Sequence, residues 1–339
     1  MRPESAVRWS RLRHKPLGVV VVLNALALTG LWDLRALGPA AVGMGLLAYC
    51  FGLRHAFDLD HITAIDTVTR ALRDGGQRSS AVGLYFSLGH SSVVVLLSLL
   101  MATLVRSTSH FMTWLSHAGI VIGTTVSAAF LLLMGVTNLS ILLRLKRPTD
   151  GFSGKVSPRP PTAPGGWLQR VFSALFRVVH RDWQMYCVGL LFGLGFDTAT
   201  EIAVLGVSTT MARRGAVSLL QIMVFPLLFT AGMTLLDTLD GIAVARLYDW
   251  TVRDPAQRRW LNMLFTGAGV LVALMVSLSE WLQLWGSAHG MTAPWKGLSG
   301  VDFSVAGGTF TALLMAVWLA ARLWRRRPIG LMRDGYREH

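Results

Sequence analysis

Long apolar stretches separated by short basic ones dominate this chain, and the stretches outrun the strands and amphipathic helices of a soluble core. A helix needs about 17 or more mainly apolar residues to cross a bilayer. Eight such windows occur, near 17–32, 39–66, 81–105, 119–143, 184–211, 217–245, 260–285 and 307–324. The pattern predicts an all-α, polytopic membrane protein of about eight transmembrane helices, in one transmembrane domain over residues 1–339. The first window is short and follows a basic N-terminus, so a cleaved signal peptide with Ala25-Leu26-Ala27 at its processing site is the rival reading there.

Composition agrees: 53% of the residues are hydrophobic and 15% charged, too apolar for a soluble domain of 339 residues. A formal charge of +14 on a soluble fold would suggest nucleic acid, but most of the basic residues here lie between apolar stretches. With the N-terminus inside, the cytoplasmic stretches 1–16, 70–80, 144–183, 246–259 and 322–339 hold 26 of the 32 Lys and Arg residues, the outer loops 5, and Arg54 lies within a span. That bias places both termini in the cytoplasm, in a multi-pass protein of the cytoplasmic (inner) membrane, with no nucleic-acid partner. Arg213 and Arg214 are the exception, since this layout puts them outside. Cys50 and Cys187 both sit in apolar segments and indicate neither a disulfide framework nor a thiolate cluster.

The longest cytoplasmic loop begins with a linker, 144–166, whose prolines and glycines exclude regular structure. It leads into 167–181, where Trp167, Leu168, Val171, Phe172, Leu175, Phe176 and Val179 form one helical stripe and Arg170, Arg177 and Arg181 lie largely off it. An interfacial helix on anionic membrane lipid is expected there.

Four polar clusters interrupt the apolar windows: RHAFDLDHITAID from Arg54, FSLGHSSVV around His90, LGFDTATE with Asp197 and Glu201, and AGMTLLDTLDG with Asp237 and Asp240. An ionised residue at a bilayer centre costs about 2.5–3.5 kcal/mol on insertion scales, so each cluster demands a reason. At 100° per residue His55, Asp58 and His61 share one face and can converge on one ion, whereas Asp60 points elsewhere, as a group that orients a histidine. A local break in the helix would change that geometry. Asp197 and Glu201 are four apart, with Thr200 on the same face. Structural pairing of helices explains a single polar cluster, and His90 alone reads as a satisfied core histidine. Asp237 and Asp240 lie near the cytoplasmic end of their window and can simply face water. Four ionisable groups in seven residues exceed what helix contact needs. Imidazole with carboxylate suits Ni²⁺, Co²⁺ or Zn²⁺ and argues against Cu(I), Mg²⁺ and Ca²⁺.

RHAFDLDHI resembles the second-span signature of the nickel/cobalt transporter family, and FSLGHSSVV, LGFDTATE and GMTLLDTLD are similar to that family's motifs in spans three, five and six, in the same order. The resemblance runs over about residues 39–245. It implies a permease that takes up Ni²⁺ or Co²⁺ as transported substrate, without a cofactor, with His55, Asp58, Asp60 and His61 in the ion path and His90, Asp197 and Glu201 as further candidates. Where the family commonly has alanine this chain has Leu59. Near the metal motif the family also carries an asparagine or histidine in span one. Asn24 is the candidate here, and the resemblance ties it to metal preference, asparagine leaning toward nickel.

A second pattern needs no family. Phe51-Gly52-Leu53 followed by Phe57-Asp58 recurs as Phe192-Gly193-Leu194 followed by Phe196-Asp197, and Phe-x-x-Gly follows each, at Phe86 and Phe229. Spans two to four and five to seven would then be repeats of three helices, and the odd number inverts one against the other.

No phosphate-binding G-x-x-x-x-G-K-[ST] occurs, so transport runs on gradients. For a dication entering a negative cell the potential supplies about 4.6 kcal/mol per 100 mV. The rival function is an intramembrane metal-dependent enzyme built on the same His/Asp cluster, although no His-Glu pair of the H-E-x-x-H kind is present. A metal-sensing receptor would carry a sizeable soluble output domain, and none is seen in the sequence.

Overall fold

The computed structural model describes residues 3–104 (without 75, 78 and 79), 121–143 (without 122, 123, 134, 137, 138, 140 and 141), 179–194, 199–213, 217–251 and 255–289. Every longer regular element among them is an α-helix: α1 (Pro3–Leu34), α2 (Pro39–His55), α3 (Leu59–Asp74), α4 (Val82–Leu104), α5 (Thr124–Leu133), α6 (Met185–Phe192), α7 (Ala199–Arg213), α8 (Leu219–Thr251) and α9 (Pro255–Ala288). Among the described residues, four segments are long and apolar enough to cross a membrane, Lys15–Leu37, Val82–Thr103, Leu219–Arg246 and Thr266–Gly286, and α2 with α3 makes a fifth if the bent pair is one span. The window near 119–143 contains α5. The window near 307–324, the linker 144–166 and residues 167–178 of the expected interfacial helix lie outside the described residues. At that helix's expected end, residues 179–181 are not helical and Arg181 is extended, with φ −145° and ψ 151°.

The two windows that carry the most acid are divided. Between α2 and α3 the chain bends by 52°. The Phe57 amide donates to the Arg54 carbonyl at 3.0 Å and the Asp58 amide to the His55 carbonyl at 2.9 Å, after which the Ile62 amide, donating to the Asp58 carbonyl at 3.2 Å, restarts regular helix. The cause is in the sequence, because short acids favour helix N-termini over helix interiors. Asp58 stands at the cap position of α3, and the Asp60 carboxylate accepts the His61 amide at 2.9 Å. The window 184–211 is likewise divided into α6 and α7, with Glu201 in the first turn of α7. Before α2, the turn Arg35–Leu37 closes through Gly38, whose φ of 98° suits glycine, and Pro39 opens the next helix.

α8 is the centre of the bundle, with α1, α2, α3, α4 and α7 packed around it. Peripheral helices turn apolar side chains outward: Leu271, Met275 and Leu278 follow helical spacing on α9, and Val21, Val22, Leu26 and Trp32 are exposed on α1. These are lipid-facing surfaces.

Helix crossings in the interior depend on glycine. A Cβ on Gly52 of α2 would meet the Phe229 carbonyl of α8, and one on Gly232 of α8 would meet the Tyr49 carbonyl and the Leu53 amide of α2. A second crossing has the same form: Gly189 of α6 would meet the Phe86 carbonyl of α4, and Gly89 of α4 would meet the Tyr186 carbonyl and the Leu190 amide of α6. Backbones this close leave no room for a side chain, the packing that small residues permit in membranes. Gly52→Val is expected to lose most of the folded protein, whereas Gly43→Val, at a position with nothing within 4 Å of its Cβ, is neutral. Thermal unfolding of both variants in detergent checks this. Equal melting temperatures would refute the close crossing.

Candidate metal centre

The break in span two sets the site. His55 is the last residue of α2, His61 lies in the first turn of α3, and α4 brings His90 alongside them. All three are buried, and one ring nitrogen of each lies within 4.8 Å of the others. The Nε2 atoms of His55 and His90 are 3.1 Å apart. Two imidazole nitrogens bound at 2.0–2.1 Å to a common ion stand about 2.8–3.4 Å apart for right-angled to tetrahedral geometry, so these two rings are close enough to share an ion once it displaces the His90 Nε2 proton.

Carboxylates surround the three rings. Asp58 Oδ2 is 2.9 Å from His55 Nδ1, Asp237 Oδ2 is 3.3 Å from His61 Nδ1, and Glu201 Oε1 is 2.7 Å from His90 Nε2 and 3.7 Å from His55 Nε2. An ionised carboxylate only accepts, so the facing ring nitrogens, Nδ1 of His55 and His61 and Nε2 of His90, are the donors, and the lone pairs stay on Nε2 of His55 and His61 and on Nδ1 of His90. That is the carboxylate–histidine arrangement that orients metal ligands. His61 Nε2 is buried with no hydrogen-bond partner among the described residues, as is His90 Nδ1. A buried, unpartnered, lone-pair nitrogen suits a cation. Thr200 Oγ1 completes the wall at 3.4 Å from His55 Nδ1.

His90, which alone reads as a core histidine and is also a candidate ligand, lies beside His55 and His61. Asp58 orients His55, while Asp60, expected to orient a histidine, instead holds the backbone of α3. Glu201 is at the site, and its expected neighbour Asp197 lies outside the described residues. Asn24 is occupied elsewhere: its amide donates to the Val20 carbonyl at 2.9 Å and the Ala231 carbonyl at 3.2 Å and accepts the Tyr49 hydroxyl at 2.9 Å. Leu59 packs away from the cage, with Leu131 and Val276. Asp237, whose place in the sequence allows it simply to face water, is 1% exposed. α8 continues to Thr251, so Asp237 lies deep in the helix rather than near its end. The signal was present in the sequence as two acids within one apolar window. Asp240, one turn on, has a buried Oδ2 with no hydrogen-bond partner among the described residues.

These features define a multi-pass helical membrane protein with a buried imidazole–carboxylate cage. Residues 41–324 match the NicO family, described as high-affinity nickel-transport protein, and the chain belongs to that family. It is 41% identical over 320 residues to the hydrogenase nickel incorporation protein HupN of Bradyrhizobium diazoefficiens, covering 92% of this chain and 84% of that one. To a high-affinity nickel transport protein of Cupriavidus necator it is 43% identical over 289 residues, 80% of each chain. To the cobalt transport protein NhlF of Rhodococcus rhodochrous it is 35% identical over 284 residues, 79% of this chain and 80% of that one. No solved structure gives a significant match.

Proposed function

We propose that this chain takes up Ni²⁺, Co²⁺ or both across the cytoplasmic membrane, passing the ion through the cage of His55, His61 and His90. The observation that carries the reading is the convergence of three buried imidazoles, flanked by Asp58, Glu201 and Asp237, inside helices that match a family of nickel transporters. Relatives named for nickel and for cobalt transport favour a permease over an enzyme on the same residues. The transported ion is substrate, and its binding displaces protons from imidazole. Purified protein in proteoliposomes with an inside-negative potential should accumulate ⁶³Ni²⁺ and ⁵⁷Co²⁺, each competed by the other. A protein that moves neither ion under that gradient refutes the reading.

The architecture proposed for this work is eight spans with an inverted repeat of three helices. A window divided into two helices, a long helix and a third helix follow one another twice, as α2/α3, α4, α5 and α6/α7, α8, α9. Equivalent contacts support the pairing. Gly52 on Phe229 matches Gly189 on Phe86, and Gly232 on Tyr49 and Leu53 matches Gly89 on Tyr186 and Leu190. These contacts align Tyr49-Cys50-Phe51-Gly52-Leu53 with Tyr186-Cys187-Val188-Gly189-Leu190, one helical turn from the register suggested by the Phe-Gly-Leu motifs. Discontinuous helices meeting at a central ion site are a common arrangement in secondary transporters. In this layout the first repeat supplies every histidine of the cage and the second supplies Glu201 and Asp237, so each of these two carboxylates bonds across the halves. Both termini lie in the cytoplasm by the distribution of basic residues. Reporter fusions at His339 and beside His289 are expected on opposite sides of the membrane, and the same side for both would overturn the layout.

A further inference from the structure

Two phenylalanines bracket the cage, and the ion-binding groups leave them without an assigned part. Phe86 and Phe229 are both 0% exposed. Phe229 lies over His55, with ring centroids 5.4 Å apart and planes at 35°, and Phe86 stands edge-on to His61 at 4.8 Å and 90°. They approach from opposite ends. α4 starts beside the α3–α4 connection, and Phe86 lies one turn into it, before His90. α8 starts beside the α1–α2 turn, where Ser218 and Gln221 share a surface hollow with Trp32, Asp33 and Arg35. Along α8 Phe229 comes first and Asp237, the partner of His61, comes two turns later. Phe229 therefore stands between the cage and the α1–α2 end of the bundle, and Phe86 between the cage and the α3–α4 end.

Each ring also sits at a glycine crossing, since the Phe86 carbonyl lies under Gly189 and the Phe229 carbonyl under Gly52. The two share the Phe-x-x-Gly pattern. Their packing corresponds as well: Phe229 meets His55 at 5.4 Å and Phe86 meets Phe192 at 5.4 Å, where Phe192 ends α6 as His55 ends α2.

Building on the transport reading above, we propose that Phe86 and Phe229 are the two gates of the ion path, Phe229 toward the α1–α2 end and Phe86 toward the α3–α4 end. A carrier exposes its site to one side at a time and so needs a barrier on each side of the ion. An apolar ring closes such a path by excluding water, because a divalent ion does not shed its hydration against a hydrocarbon wall. Residues related by an inverted repeat fall on opposite sides of the midplane, as two gates must. A crossing without side chains lets the helices rock where each ring is mounted. Neither ring offers a strong donor to the ion, so the gates act on access and rate and leave the ligands in place.

The test uses the full chain with Cys50→Ser and Cys187→Ser and a single reporter, Ala56→Cys, buried beside His55. In sealed vesicles of both orientations, a membrane-impermeant thiol reagent should label the reporter slowly from either side. Adding Phe229→Ala should speed labelling only from the side of the α1–α2 turn, and adding Phe86→Ala only from the opposite side. Ni²⁺ affinity, read by calorimetry on the variants without the reporter, should stay within about threefold of the parent while uptake falls by more than tenfold. Phe86→Leu and Phe229→Leu fill most of the volume and should give the same side selectivity with smaller rates, which keeps the test decisive if an alanine variant fails to accumulate. Labelling from the same side in both variants, or unchanged labelling in both, overturns the proposal. So does uptake at the parental rate. Failure of the transport reading shows separately, as a parent that moves neither ion, and the labelling pattern then still decides the gates.

Discussion

Glutamine in place of His55 or His61 is expected to abolish Ni²⁺ and Co²⁺ accumulation while leaving an inserted, abundant protein. Both rings are essentially fully buried, each held through Nδ1 by a carboxylate, Asp58 or Asp237, with Nε2 turned inward. Glutamine retains a hydrogen-bond donor for that carboxylate but removes the nitrogen lone pair, so a structural role predicts near-normal behaviour and a ligand role predicts loss. The loss in affinity should exceed the 10–100-fold that disturbing an outer-shell partner typically brings, reaching roughly 100-fold or more. The same chemistry sets the response to pH. Protons and the metal compete for the same imidazole lone pairs, so binding by the parent weakens as the medium is acidified. Uptake by either glutamine variant at the parental rate, at low micromolar metal, would remove that histidine from the ion path.

How far the site could be read from sequence differs residue by residue. Helical arithmetic put His55, Asp58 and His61 together, and they are together, but through a 52° bend that arithmetic on a straight helix does not contain. The bend has a local cause in Asp58 and Asp60, which is why its possibility was visible and its consequence for Asp60 was not. His90 and Asp237 depended on tertiary packing. A single histidine in an apolar helix carries no information about which neighbour it meets, and Asp237 was misplaced because the end of α8 could not be located from hydropathy alone. The glycine crossings were equally hidden: Gly43 and Gly52 look alike in sequence, and only the partner backbone separates the lipid-exposed one from the one pressed on Phe229. Hydropathy served best for α4, where the apolar run Val82–Thr103 and the helix Val82–Leu104 nearly coincide, whereas α1 and α9 extend well beyond their apolar runs. Asn24 shows the limit of resemblance, since its side chain bonds Tyr49 and the α8 backbone, and any influence on the ion passes through the α2–α8 crossing.

The second large effect belongs to Glu201. Its side chain is fully buried in the first turn of α7, with Oε1 2.7 Å from His90 Nε2 and 3.7 Å from His55 Nε2. Neutral imidazoles bind a transition-metal dication but do not compensate its charge. In a medium of effective dielectric near 20, a unit charge pair 4 Å apart interacts by about 4 kcal/mol before desolvation is subtracted, and the dication doubles that. A carboxylate this close to two ligand nitrogens is therefore a principal source of the charge that lets Ni²⁺ leave water inside the bilayer. Glu201→Gln preserves shape and an acceptor for His90 while removing the charge, and it should lower Ni²⁺ affinity by at least about 100-fold, some 2.7 kcal/mol. Asp60→Asn is the comparison, because the Asp60 carboxylate accepts only the His61 amide among its described hydrogen bonds, and its effect should be smaller. Titration of the purified variants with Ni²⁺ measures both directly. If Glu201→Gln binds within about threefold of the parent, the charge compensation lies elsewhere in the cage, with Asp58 and Asp237 as the remaining sources.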